Sequence, residues 1–158
     1  MYLSCFLVAN PHPSQLTSAM HCLHEDELNY VLTKPTSYHQ QRSILGRYYL
    51  KRLLFTQNYI QKPFHSFSTI KGVQNSIGSE EFYFSMSYTR EYGLVSLSKS
   101  RHGIDLVCDY GYTHLPCSIE EWAQMEADIK LGESQEDDTH IGRFLVENNK
   151  YTFSISIL

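Results

Sequence analysis

Before Pro63 the apolar residues recur three and four apart; after it they gather in short aromatic and β-branched runs. Helical spacing and short strand-like runs joined by tight turns, with no repeat, predict an α+β fold with mainly antiparallel strands packed on helices. The clearest helix is "SYHQQRSILGRYYLKRLLFTQ". Leu45, Tyr49 and Leu53 fall at i, i+4 and i+8 with Ile44 and Tyr48 alongside, so one face is apolar and Arg47 and Lys51 lie a turn apart off it. Pro35 interrupts the preceding pattern, and Thr36 or Ser37 can cap the new start. Gly46 weakens the helix interior but removes a side chain there, which suits the close approach of another backbone or a ligand.

Residues 2–9 read as a buried strand, and 14–32 as helix in one or two pieces. Beyond Pro63, "HSFSTI", "EFYFSMSY", "GLVSLS" and "GIDLVC" read as strands, with "KSRH" turning the last two into a hairpin. Ser118 caps a helix "IEEWAQMEADIKLG" that carries two acids in its first turn. "ESQEDDTH" is then a polar loop, and "YTFSISIL" alternates as a half-buried strand. With 42% hydrophobic and 19% charged residues, the 158 positions suit one globular unit. Cys5, Cys22, Cys108 and Cys117 are too scattered for a disulfide framework and read as free thiols. The opening "MYLSCFLVANPHPSQ" has no basic leader, and Asn10 and Pro11 break its apolar run, so the expectation is a cytoplasmic protein with no signal peptide and no membrane segment.

Charge is distributed unevenly. From Leu28 to Ser79 there is no Asp or Glu, yet Lys34, Arg42, Arg47, Lys51, Arg52, Lys62 and Lys71 all fall there. Between Ser118 and Asp138 eight acids accompany the single Lys130. The basic stretch reads either as an anion-binding surface or as an ordinary solvated face. A pI near 6.0 and the lack of helix-turn-helix, zinc-finger or RNP signatures argue against nucleic acid as the partner.

Two constellations bear on chemistry. Glu126 and Lys130 are i, i+4 on the last helix with Trp122 a turn earlier, a spacing shared by ordinary helix ion pairs. Asp105 sits among Ile104, Leu106 and Val107, where an unpartnered carboxylate is costly. It reads either as a hydrogen-bonded structural acid or as a ligand, with Glu126, of a hard metal ion. "HCLH" at 21–24 lacks the second ligand pair of a structural zinc site, and no G-x-S-x-G, Walker or Rossmann motif is present.

In order, "HQQRSILGRYYLKRLL", "FSMSYT", "GIDL" and "WAQMEADIK" followed by Gly132 resemble the motifs of the Sfp-type 4'-phosphopantetheinyl transferases over roughly residues 38–132. The resemblance implies two pseudo-symmetric halves, near 1–82 and 83–158, with coenzyme A in the cleft between them and the second half trimmed. It implies Mg²⁺-dependent transfer of the phosphopantetheine arm to a serine of an acyl or peptidyl carrier protein, as in fatty acid or polyketide biosynthesis. By the same resemblance Asp105 and Glu126 hold Mg²⁺, Glu126 can also accept the serine proton, and Lys130 stabilises phosphate charge. Arg42 holds the nucleotide end, Ser87 and Tyr88 stand at the Ser-His pair that contacts coenzyme A, and Arg47 and Lys71 are further candidate cations for the cofactor. A catalytically inactive homologue that binds a carrier protein or coenzyme A is the other reading.

The departures are specific. Tyr88 replaces the family's His, keeping a hydrogen-bond donor without a positive charge. Val107 replaces the second strand carboxylate, and Asp109, two residues on, shares its face. The Gly-Lys-Pro that often precedes the N-x-S-H strand has only "IKGVQ" with Lys71 as a counterpart.

Overall fold

The computed structural model describes residues 1–61, 63–70, 74–77, 80–108, 118, 121–125, 127, 138–146 and 149–157. It is α+β with two antiparallel sheets. The first contains β1 (Tyr2–Leu7), β2 (Gln74–Ile77), β3 (Glu80–Tyr88) and β4 (Tyr92–Ser98) in the order β1-β4-β3-β2. The second contains β5 (His102–Cys108), β6 (Asp138–Val146) and β7 (Asn149–Ile157) in the order β5-β7-β6. In both, the chain leaves the opening strand, passes through helix and returns as a hairpin whose last strand pairs beside the first. The change of sheet lies between Ser98 and His102, and a division at 82/83 falls inside β3.

Helices α1 (Pro13–His21), α2 (Glu25–Leu32) and α3 (Ser37–Thr56) join β1 to the rest of the first sheet. Each start has a local cause. Pro13 stands at the first position of α1, and Thr36 accepts the His39 N–H at the head of α3. At α2 the cap is His24, whose Nδ1 accepts the Asp26 N–H while Glu27 accepts the His24 N–H, a reciprocal box. The apolar face of α3 is realised in part: of the expected residues Ile44 and Leu45 are buried while Tyr48, Tyr49 and Leu53 are half-buried, and Leu50 and Leu54 complete the face in a core shared with Val8 and with Phe6, Phe82, Val95 and Leu97 of the first sheet. Each fully buried side chain contributes about 1.5–3 kcal/mol of burial.

Strand alternation then divides β4 between two cores. Val95 and Leu97 face α3, whereas Leu94 joins Ile104, Leu106, Tyr151 and Ile155 between the sheets. The anticipated hairpin through "KSRH" does not form, because β1 and β3 already take both edges of β4. β5 pairs with β7 instead, and serines of β3 cap its other edge: the Ile104 N–H donates to Ser85 Oγ at 3.2 Å and the Leu106 N–H to Ser87 Oγ at 3.0 Å. The spacing of two in "SMS" thus matches the spacing of two between the outward-facing N–H groups of an edge strand.

Three further expectations are corrected. "HSFSTI" is not a strand but a 3-10 turn at Phe64–Ser66 with an irregular continuation. The polar loop "ESQEDDTH" gives way to β6 from Asp138. β7 is central and buried on both faces, not one, since Thr152, Ser154 and Ser156 are as enclosed as Tyr151. The helical residues 121–125 cover that polar face, where Gln124 bonds both Ser154 and Ser156. Ser118 caps this segment as expected, exchanging hydrogen bonds with Glu121. Among the described residues no helix is long and apolar enough to cross a membrane.

A cationic cavity between α3 and β3

A cavity of about 560 Å³ opens between the α2–α3 corner, α3 and β3, with His102 of β5 in its wall. Its charged lining is Lys34, Arg42 and Arg47, with His39 beside them, and no carboxylate belongs to the lining among the described residues. Arg42 and Arg47 face it from α3, and Met86 and Tyr88 from the alternating positions of β3 that point at that helix.

Aromatic rings fix the cations. The Arg42 guanidinium lies 5.7 Å from the Tyr38 ring and 5.3 Å from the Tyr88 ring. Tyr38 is itself tied down, its hydroxyl donating to the Arg90 carbonyl at 2.9 Å. Lys34 Nζ donates to Tyr30 Oη at 2.7 Å, and this bond holds the Tyr30 phenol below its ordinary pKa. Arg47 lies 4.7 Å from the Tyr30 ring, and its Nη1 donates to Thr69 Oγ1 at 2.7 Å. The Arg47 Nε is buried with no hydrogen-bond partner among the described residues.

The close approach expected at Gly46 is made by a side chain. A Cβ at Gly46 falls 1.9 Å from Tyr88 Oη, so the glycine is the notch into which the Tyr88 hydroxyl fits. That hydroxyl donates to Met86 Sδ at 3.3 Å. Burial raises its pKa to about 12, partly offset by Arg47 and Arg42.

Behind the wall lies a buried ionic cluster that no sequence pattern announces. Lys51 and Glu27 are both fully enclosed and 2.5 Å apart at Nζ and Oε2. Lys51 Nζ also donates to the carbonyls of Cys22, Phe64 and Phe67. Burial lowers the Lys51 pKa, and the Glu27 carboxylate offsets this only in part. Glu27 accepts from the His24 N–H, the Thr69 N–H and the Thr69 hydroxyl, while Arg47 Nη1 stands 3.9 Å away. The only sequence signal was an acid three residues after His24, which reads as a capping box solely if a histidine is admitted as the cap.

The other anticipated residues are distributed as follows. Ser87 is buried and turned away from the cavity, donating to Asp105 Oδ1 at 2.6 Å. Asp105 is likewise buried, on β5 at the seam between the sheets, and is not part of the cavity lining. Val107 is buried two positions along the same strand. Lys71, Asp109, Glu126 and Lys130 lie outside the described residues. Among the described residues no three His, Cys, Asp or Glu side chains gather as metal ligands.

His102 predicts a pH effect. Its Nδ1 faces the Ser100 carbonyl at 3.0 Å and so carries the proton, leaving Nε2 to accept from Ser96 Oγ at 2.7 Å. Burial lowers its pKa below 6.5. The unfolded chain then takes up the proton first as pH falls, so stability is full above about 6.5 and declines below it, by at most about 1.4 kcal/mol per pH unit until the folded-state pKa is passed. Urea midpoints at descending pH should show this decline, and His102→Gln, which keeps a donor and an acceptor, should flatten it.

No protein-family model matches the chain, and no curated protein sequence matches it.

Proposed function

We propose that the cavity binds the phosphorylated nucleotide end of coenzyme A and that the protein transfers the phosphopantetheine arm to a carrier-protein serine. The observation that carries the reading is the cavity wall itself, in which Lys34, Arg42 and Arg47 face open space with no carboxylate in the lining among the described residues. Such a wall attracts an anion, and aromatic rings against two of the cations suit a nucleotide beside its phosphates. The repeated strand order of the two sheets also suits the two-halved architecture that the sequence resemblance implies.

In this reading Arg42, Arg47 and Lys34 neutralise phosphate charge, and Tyr88, in its notch, supplies rigidity in place of the family's imidazole. The carrier serine oxygen attacks the pantetheine-side phosphorus of the pyrophosphate. The bond to the other phosphate breaks, adenosine 3',5'-bisphosphate leaves, and Glu126 or water takes the serine proton. Magnesium, when bound, would neutralise charge developing on the leaving phosphate. Asp105 is an oxygen ligand of the right kind, oriented by Ser87, and Glu126 would be its companion, whereas Val107 offers no donor. The same Val107 and the Ser87 bond to Asp105 favour the second reading, a binding protein without turnover.

The test is intact mass of apo carrier proteins incubated with the protein, coenzyme A and Mg²⁺. Transfer predicts a phosphopantetheine-sized gain that disappears in Asp105→Asn, which keeps the Ser87 hydrogen bond, and in Glu126→Gln. In Arg42→Ala coenzyme A affinity should fall by about tenfold, the scale of one charged contact. Binding of coenzyme A with no mass gain on any carrier moves the function to the non-catalytic reading; no binding ends both.

A further inference from the structure

Glu27 and Lys51 do not line the cavity, yet Glu27 stands 3.9 Å from Arg47, which does. The Lys51 ammonium is encased by Glu27 and three backbone carbonyls, four acceptors for three hydrogens. Glu27 in turn receives the His24 N–H, Lys51, the Thr69 N–H and the Thr69 hydroxyl, which fills its oxygens and keeps it from closing on Arg47. Arg47 stays 3.9 Å off, held through Thr69. One carboxylate thus stands between two cations, 2.5 Å from Lys51 and 3.9 Å from Arg47, and the cation it compensates less is the one on the cavity wall.

We infer that Glu27 and Lys51 are positioning residues that set the anion affinity of the cavity, Lys51 by occupying Glu27 so that Arg47 is only partly compensated. The inference rests on the reading of the cavity as an anion site and not on any transfer. Its signature is a sign reversal. Removing the Lys51 charge leaves Glu27 to neutralise Arg47, and anion binding weakens. Removing the Glu27 charge takes from Arg47 its nearest carboxylate while three backbone carbonyls still hold the Lys51 ammonium, and binding tightens. Removing both restores a single free cation. A pair that merely supports the fold predicts that either change lowers affinity.

The experiment is calorimetric titration of the full chain with inorganic pyrophosphate at low salt, each variant first checked for native circular dichroism. Lys51→Met is expected to weaken binding and Glu27→Gln to strengthen it, each by about tenfold, as for one charge acting over a few ångströms at an effective dielectric near 20–40. The double variant is expected to return to within about threefold of the unmutated chain. Should Lys51→Met fail to fold, Glu27→Gln and the double variant still decide, because tightening in the first and recovery in the second are both required. Weakening in Glu27→Gln, or no change in any variant, overturns the inference. So does absence of pyrophosphate binding by the unmutated chain. The expected pattern in a protein that modifies no carrier protein leaves the inference standing and removes only the transferase reading.

Discussion

Lys51→Ala is expected to lower the unfolding free energy by about 3–5 kcal/mol, the usual cost of leaving one member of a buried ion pair behind. The variant loses an ammonium that satisfies Glu27 and three carbonyls belonging to α1's end and the segment after Pro63. Water cannot reach those groups without opening the contact between α2, α3 and that segment, since Lys51 and Glu27 are fully enclosed. A domain of ordinary stability has about 5–15 kcal/mol in all, so much of it would go. The check is urea denaturation with the slope compared between variants: a lower midpoint at unchanged slope is the expected result. Glu27→Gln/Lys51→Met should recover most of the loss, because replacing both charges removes the uncompensated carboxylate. An exposed lysine would give a change within about 0.5 kcal/mol, and that outcome would contradict the burial described for Lys51.

Lys51 also marks the limit of what was legible in the sequence. Periodicity identifies α3 and part of its apolar face: Ile44 and Leu45 are buried, Tyr48, Tyr49 and Leu53 are only half-buried, and the fully enclosed Leu50 and Leu54 lie one position beyond the expected Tyr49 and Leu53. It places Arg47 and Lys51 off that face, as charged residues ordinarily are. Nothing local says that α2 and the irregular residues 63–70 cover them, since that depends on how three segments pack. The strands beyond Pro63 were legible in kind, but their partners were not: "KSRH" has the look of a hairpin, and only the occupied edges of β4 forbid it. The serines at 85 and 87 have a similar history. Their roles as caps on β5 follow from the meeting of two sheets, which no strand announces by itself.

The candidate site divides the same way. The acid-free stretch predicted an anion surface or a solvated face, and Lys34, Arg42 and Arg47 do converge on one cavity, while Lys51 is consumed inside the fold. A run of like charge therefore signals the region but not the members. Asp105 was expected in an apolar strand with a partner, and it has one in Ser87. A carboxylate held by a hydroxyl suits both a structural acid and an oriented metal ligand, so Asp105→Asn, which keeps the bond and removes the charge, separates the two roles.

Gly46→Ala is the substitution for which helix propensity and tertiary packing predict opposite signs. In the interior of a helix the change from glycine is worth about 1 kcal/mol of added stability. Here the new Cβ lies 1.9 Å from Tyr88 Oη, 3.0 Å from its Cζ and 3.2 Å from Met86 Sδ. Tyr88 must leave the notch, and with it go the hydroxyl bond to Met86, the edge contact with Phe6 and the ring beside Arg42. The expected result is a net loss of about 1–3 kcal/mol, as for an overpacked core. A titration separates displacement from general damage. In the native notch the phenol holds its proton up to about 12 against about 10 in the unfolded chain, so its contribution to stability is present below pH 10 and is lost as pH rises from there toward 12. Displaced toward solvent in Gly46→Ala, the same phenol should titrate nearer 10 by absorbance, and the alkaline loss of stability should become shallower. Adding Tyr88→Phe removes the atom in closest conflict and should recover part of the stability. If Gly46→Ala instead stabilises the chain and leaves the Tyr88 titration unchanged, the notch is not occupied and Arg42 is not held from that side.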